Sequence, residues 1–249
     1  MRILISNDDG IEAAGIVALT KVLSQQHDVI VAAPAHQQSG MAHALTVGRR
    51  MEVCRSAALE EWAVEAWSID GTPTDCVKVY LESIAGKQLP DIVLSGINHG
   101  SNLGTDVLYS GTVGAAIEGY LHRITSIAVS LDIESSMDYE SAAQIFAAGL
   151  MEVAAHRQEP CLLNVNFPAK LRVNHAFAWA KLGNRDYKNA FRRTEEDGHC
   201  YYTMAGEIFD EDNDAKTDIH AVEAGYISIT PLQTDLTDYP ALEVAWMNK

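Results

Sequence analysis

Arg2-Ile3-Leu4-Ile5-Ser6, closed by Asn7-Asp8-Asp9-Gly10, opens the chain as a short apolar run that ends in a turn. Ile16, Leu19, Val22 and Leu23 then recur at helical spacing between Glu12 and Gln26. Asp28-Val29-Ile30-Val31-Ala32-Ala33 is a second apolar run, stopped by Pro34. A buried strand, a helix and a second buried strand make a β-α-β unit, and such a unit implies a parallel sheet.

Working outward, Ala44-Leu45-Thr46-Val47 and Met51-Glu52-Val53 flank Gly48-Arg49-Arg50 and predict a β-hairpin. Ala63 to Ile69 reads as a strand, and Thr72-Pro73-Thr74-Asp75 as the start of a helix reaching about Ile84. Asp91-Ile92-Val93-Leu94 is another buried strand, followed by Ser95-Gly96-Ile97-Asn98, in which it ends. A glycine-rich stretch from Gly100 to Gly114 leads to a helix around Ala115–Leu121. Strands at Ile127–Ser130 and Leu162–Asn166 enclose a helix at about Tyr139–Arg157. After Pro168 the alternation stops. Hairpin-like strands at Ala176–Leu182, His199–Ala205 and Gly225–Ile229, an acidic loop at Asp210–Asp214 expected to be solvated, and a short helix around Leu242–Met247 complete the chain. The expected fold is α/β: a Rossmann-like, doubly wound, mostly parallel sheet over residues 1–168, with a β-rich extension over 169–249.

The composition agrees. The chain has 249 residues, 47% of them hydrophobic and 21% charged. A chain of this size buries roughly 70% of its unfolded surface, so it needs no disulfide or metal to hold a core. The net charge is −16, which disfavours nucleic-acid polymers and anionic membranes as partners. Cys54, Cys76, Cys161 and Cys200 form no CxxC pair. Scattered thiols fit a reducing compartment, and the chain reads as cytoplasmic.

In an open parallel sheet, ligands bind beyond the carboxyl ends of the strands. Here those ends carry Asp8-Asp9 after the first strand, Ser39-Gly40 after the second and Asn98 after a later one. Adjacent carboxylates address one point only where the chain leaves the strand, as Gly10 allows. They repel each other unless a cation or proton intervenes. Alone, the pair reads equally as a solvated Asx-turn, and Ser39 and Asn98 each read as turn residues. Together they form an all-oxygen set suited to Mg²⁺, Mn²⁺ or Ca²⁺. Tyr109-Ser110-Gly111-Thr112-Val113-Gly114-Ala115-Ala116 places hydroxyls and flexible backbone just before a helix, where N–H groups and the helix dipole favour an anion. Read singly, it is an ordinary N-cap. It is no Walker loop, because no Lys follows, and no Lys or Arg occurs from Gln88 through His122. An anion held there needs a metal as its principal positive charge. His36, His43 and His99 lie in or beside these loops and are candidate proton shuttles, although a structural role is the simpler reading of each.

These residues, together with Leu45-Thr46, Gly71-Thr72-Pro73-Thr74-Asp75-Cys76-Val77, Gly100, Asn102, Leu163-Asn164-Val165-Asn166-Phe167-Pro168 and Gly225-Tyr226-Ile227-Ser228-Ile229-Thr230-Pro231-Leu232, make the sequence resemble the survival protein SurE family over nearly its whole length. The resemblance implies a metal-dependent phosphatase of nucleoside 5′- and 3′-monophosphates, of which some members shorten polyphosphate. It implies that Asp8, Asp9, Ser39 and Asn98 bind one divalent cation per subunit, and that Asn102, Ser110, Gly111 and Thr112 bind phosphate. Asp8 and Asp9 would act catalytically through the metal, with no separate base assigned. It also implies a homodimer or homotetramer built by exchange of C-terminal arms. One loop departs from the family pattern: Gln37-Gln38-Ser39-Gly40 stands where many relatives have Arg-Ser-Gly, which removes a candidate phosphate or base contact. Two rival readings fit less well. A haloacid-dehalogenase-like phosphatase with an aspartyl nucleophile wants its two Asp one residue apart. A receiver-like Mg²⁺-binding signalling module wants a phosphoacceptor Asp where Ser95 and Asn98 stand, in about half the length.

Overall fold

The computed structural model describes residues 1–155, 159–172, 176–210 and 213–247. The first strand, β1 (Arg2–Ser6), lies fourth from one edge of a nine-stranded sheet. On one side it pairs in parallel with β2 (Asp28–Pro34), and outward lie β4 (Glu65–Ile69) and the antiparallel β3 (Val53–Arg55). On its other side it pairs in parallel with β5 (Ile92–His99), followed by β6 (Thr125–Leu131) and β7 (Leu162–Phe167). The order reverses between β1 and β5, which makes the crevice at their carboxyl ends the topological switch point. β13 (Ile227–Leu232) then adds antiparallel to β7, and β8 (Phe177–Trp179) adds parallel to β13.

Alternate residues of β1 feed opposite layers, as the period of a strand demands. Ile3 and Ile5 join the core beneath α1 (Ala14–Leu23) and α4 (Tyr139–Ala155), with Ile16, Leu19 and Phe146. Leu4 faces the other way, toward Val77 and Tyr80 of α2 (Pro73–Val79) with its π-helical continuation Tyr80–Ile84, and toward Ala115 of α3 (Gly111–Leu121). α2 starts where the sequence indicates. Thr72 accepts from the Asp75 N–H, the Asp75 carboxylate accepts from the Thr72 N–H, and Pro73 occupies the first turn. The expected doubly wound sheet and antiparallel C-terminal strands are present. No helix of the described residues is long and apolar enough to cross a membrane.

Four local expectations are corrected. The hairpin at 44–53 is absent, because its backbone bonds elsewhere: the Ala44 carbonyl accepts from the Thr72 hydroxyl at 2.7 Å, and the Thr46 N–H donates to Asp75 at 3.0 Å. Only Val53–Arg55 forms a strand, against β4. β5 does not end within 95–98. It runs through Asn98 by a bulge in which Gly96 and Ile97 together oppose Val129 of β6, since Ser95 pairs with Ala128 and Asn98 with Ser130. Gly96 takes φ +138°, and a Cβ there would lie 2.2 Å from the Val129 carbonyl oxygen, so no other residue fits. α3 begins at Gly111, earlier than expected, after a 3₁₀ turn at Gly104–Leu108. The acidic loop is not simply solvated: Asp210 pairs with Arg185 at 2.8 Å, both side chains nearly buried, and Asp214 pairs with Lys181. Glu211 and Asp212 lie outside the described residues, as does the end of the helix expected to reach Arg157.

The β10 (Phe191–Glu196) and β11 (His199–Met204) hairpin and the β9 (Asp186–Lys188) and β12 (Glu207–Phe209) pair form two separate small sheets. α5 (Asp218–Glu223) precedes β13, and α6 (Tyr239–Met247) ends the described chain.

The close approach of α1 to the bulge gives a direct test of the packing. A Cβ on Gly15 would lie 1.9 Å from the Ile97 carbonyl oxygen. Gly15→Ala should therefore lower the unfolding free energy by about 1–3 kcal/mol, measured by urea denaturation. Ala is the better helix former, so an unchanged or raised midpoint would contradict this packing.

Candidate functional site

The switch point gathers four segments. Asp8 and Asp9 follow β1, the loop carrying Ser39 follows β2, Asn98 lies near the end of β5, and α3 begins at Gly111. The turn after β1 is closed on itself by Asn7, whose amide accepts from the Gly10 N–H and donates to the Gly10 carbonyl. This turn frees the two aspartates from the strict alternation of a strand.

Asp8 is 5% exposed. Its Oδ1 accepts from the Thr112 hydroxyl at 2.5 Å, and the Thr112 backbone also contributes a hydrogen bond. The carboxylate thus sits on the N-terminal turn of α3, the end of a helix that favours an anion. Gly111 permits this approach, since a Cβ there would lie 3.0 Å from the Asp8 Cβ. Burial pushes the Asp8 carboxyl up to about 6, against the pull of the Thr112 hydrogen bond, and the neighbouring Asp9 charge adds to the rise. Among the described residues, no ion pair includes Asp8 or Asp9.

Asp9 is half-buried, and its Oδ2 accepts from the His99 N–H at 3.1 Å. The Gln37 amide nitrogen lies 3.5 Å from Asp9 Oδ1 and 3.1 Å from Ser39 Oγ, so one small polar group spans these two donors. Asn98 donates through Nδ2 to the Gly100 carbonyl at 2.7 Å, which leaves its Oδ1 as an acceptor for other company. Ser6, at the end of β1, and Ser95, just before the bulge in β5, are register partners, and their buried hydroxyls have no partner among the described residues. A buried carboxylate, a second carboxylate, an amide oxygen and a hydroxyl with no basic side chain among them match the needs of a hard divalent cation.

The other expected residues lie next to this set with distinct jobs. Ser110 caps α3 by accepting from the Val113 N–H at 3.1 Å. The Thr112 hydroxyl is committed to Asp8. Asn102 is held rigidly. Its N–H donates to Asn166 Oδ1, its carbonyl accepts from the amides of Asn164 and Asn166, and its own amide donates to the Ser130 hydroxyl at 2.9 Å. The sequence reading gave Asn164 and Asn166 no role. The available signal was two amides at i and i+2, on one face of an otherwise apolar strand, where burial without partners would be costly. Of the three histidines expected near the site, His99 lies beside Asp9 and its ring meets the Tyr139 hydroxyl at 2.9 Å; His43 turns to Glu118; His36 is exposed.

A second group, Glu82, Glu118 and His122, brings its ligand atoms within 4.8 Å of one another. Lys78 already provides the cation there, with Nζ 2.7 Å from Glu82 and 3.0 Å from Glu118. Its physical character is therefore that of an ion-pair cluster, in contrast to the uncompensated pair at Asp8 and Asp9.

The chain is similar to known proteins over nearly its whole length. The profile of the family described as survival protein SurE matches residues 3–189. A 5′-nucleotidase SurE of Pelotomaculum thermopropionicum is 44% identical over 245 residues, covering 98% of this chain and 93% of the relative. A 5′-nucleotidase SurE of a Synechococcus species is 45% identical, covering 98% and 95%. The crystal structure of the SurE protein from Aquifex aeolicus superimposes with a TM-score of 0.84 at 34% identity and covers the whole of both chains.

The raised Asp8 carboxyl has a sign that can be checked. Its ordinary value is 3.8, so between about pH 4 and 6 the folded state binds the proton more than the unfolded state does. Stability in chelator should fall as pH rises through that window, by on the order of 3 kcal/mol from this group. Asp8→Asn removes the charge and keeps an acceptor for Thr112. In EDTA it should therefore melt above the wild type at pH 8, with the gap closing toward pH 4. Scanning calorimetry of both proteins across that range measures it.

Proposed function

The chain belongs to the survival protein SurE family, and from that membership we propose that it is a 5′-nucleotidase: a divalent-metal-dependent phosphomonoesterase that releases phosphate from nucleoside monophosphates. The observation that carries the metal dependence is the buried Asp8 carboxylate beside Asp9 with no ion-pair partner of its own. We assign Asp8 and Asp9 as the primary metal ligands, with Ser39 and Asn98 completing the protein's share. When bound, a Mg²⁺ or Mn²⁺ ion would supply positive charge to a phosphoryl oxygen and lower the pKa of a water molecule.

The chain's own residues would do the rest. Thr112 holds Asp8 in one orientation, and the His99 N–H does the same for Asp9. With the Thr112 backbone on Asp8 and the Val113 N–H on Ser110, the Gly111 N–H and the dipole of α3 are what that helix end would offer to a phosphate. Ser110 fixes that turn, and Asn102, clamped from behind by β7, supplies a preorganised polar wall. A substrate phosphate would thus meet fixed donors on one side and the cation on the other. Action on 3′-monophosphates and on short polyphosphate belongs to this reading, because the terminal phosphoryl group is what these residues address.

We further propose a catalytic core over residues 1–168 and an oligomerisation arm within 169–249, in a homodimer or homotetramer. β8 and β13 complete the sheet of the core, while the β10–β11 hairpin presents Phe191, Tyr201, Tyr202 and Met204 to solvent. Exposed large apolar residues grouped on one hairpin favour a protein partner. A cytoplasmic site suits the four cysteines, none of which forms a disulfide.

The decisive experiment is a panel of nucleoside 5′- and 3′-monophosphates, sugar phosphates and short polyphosphate, run with Mg²⁺, Mn²⁺ or EDTA. Hydrolysis of 5′-monophosphates should cease in EDTA and return with Mn²⁺. Asp9→Asn should lower kcat/KM by about 100-fold or more at saturating Mn²⁺; undiminished activity in that variant would refute the assignment.

A further inference from the structure

The loop that carries Ser39 is tied down by a buried charge. Glu118 lies on α3, and its side chain is 4% exposed. A carboxylate this deep needs partners. Lys78 of α2 reaches its Oε1 at 3.0 Å, and the His43 ring nitrogen Nε2 reaches its Oε2 at 2.9 Å. A carboxylate only accepts, so His43 donates through Nε2. Burial pushes the Glu118 carboxyl up, but the His43 and Lys78 hydrogen bonds outweigh it and leave the group below its ordinary range. Glu118 is therefore an anion with two donors, one from a helix and one from the loop.

The backbone around His43 is pinned in the same place. The Ala42 N–H donates to the Tyr109 carbonyl at 2.9 Å. The Ala44 carbonyl and the Thr46 N–H bond to the two capping residues of α2, Thr72 and Asp75. Beneath the loop, Gly114 leaves no room for a side chain, since a Cβ there would lie 2.2 Å from the Ala42 oxygen. Upstream, the Gln38 N–H donates to the Asp8 carbonyl at 2.7 Å and ties the near side of Ser39 to the turn after β1, so the His43 side is its second anchor. Between these anchors Ser39 and Gly40 are exposed, and among the described residues the Ser39 hydroxyl accepts from the side chain of Gln37, itself exposed.

We propose that His43, acting through Glu118, is a positioning residue that fixes the Ser39 loop against α3 and so sets where the Ser39 oxygen stands relative to Asp8 and Asp9. The inference rests on the metal reading above and adds to it the device that places its most weakly held donor. Neither His43 nor Glu118 is among the assigned ligands; the effect passes through the three residues between Ser39 and His43.

The test uses the full chain stripped with chelator and titrated with Mn²⁺ alone, the free ion being followed by electron paramagnetic resonance. His43→Ala should weaken Mn²⁺ binding about tenfold, and Ser39→Ala should weaken it to a similar extent. If His43 works through Ser39, the double variant binds no worse than Ser39→Ala. His43→Gln, which keeps a donor toward Glu118, should return to within about threefold of the wild type. Melting in chelator reports whether each variant is folded. A folded His43→Ala that binds within about threefold of the wild type overturns the proposal alone, as does a double variant in which the two losses multiply. A wild type that fails to bind Mn²⁺, or a Ser39→Ala that binds like it, overturns the metal reading itself.

Discussion

The Asp8 carboxylate is buried on the N-terminal turn of α3, beside a second carboxylate and without a cationic side chain. Everything around it follows from making that arrangement tolerable. Thr112 supplies a hydroxyl and a backbone contact, the helix end supplies partial positive charge, and the protein still leaves the group with a carboxyl pushed up to about 6. A fold selected for stability alone has no reason to keep such a site. An ion-pair network is within this chain's means, as Lys78, Glu82, Glu118 and His122 demonstrate between α2 and α3. The same molecule thus carries a compensated cluster and an uncompensated one, and uncompensated buried charge is the kind that gathers at ligand sites.

Close backbone contacts bring the parts together. Gly15 lets α1 lie on the carbonyl of Ile97, Gly111 lets α3 meet Asp8, and Gly114 lets the loop after β2 rest on α3. Each contact joins an element from one side of the switch point to an element from the other. The bulge in β5 serves the same end: it opposes two residues to one and re-aims the strand just before Asn98. Placement of the donors thus depends on missing Cβ atoms as much as on the donors themselves.

The segment after Phe167 is joined to the site as well as to the sheet. Arg185 pairs with Asp210 and lies 3.6 Å from Asp106, and the Tyr187 hydroxyl donates to Asp106 at 2.6 Å. Asp106 in turn accepts, through its backbone carbonyl, from the N–H groups of Tyr109 and Ser110. Asp218, with a carboxyl raised by burial, accepts from the N–H groups of Gly104 and Gly183. The turn that leads into α3 is therefore held between the sheet and the segment that follows Phe167.

The chain's own order of residues determined the β-α-β opening, the parallel sheet and the polar strand ends, because strand and helix periods are local and apolar runs are explicit in the letters. Asp8-Asp9, Ser39, Asn98 and the Ser110–Thr112 turn were legible as oxygen-rich loops for the same reason. The hairpin expected at 44–53 was not there, because its carbonyl and N–H groups bond the capping residues of α2, some 30 positions away. The β5 bulge, the amide clamp of Asn164 and Asn166 on Asn102, and the bond from His43 to Glu118 also lay beyond local patterns. Each joins groups distant in sequence whose meeting is set by sheet order and close packing, and only the tertiary structure decides that.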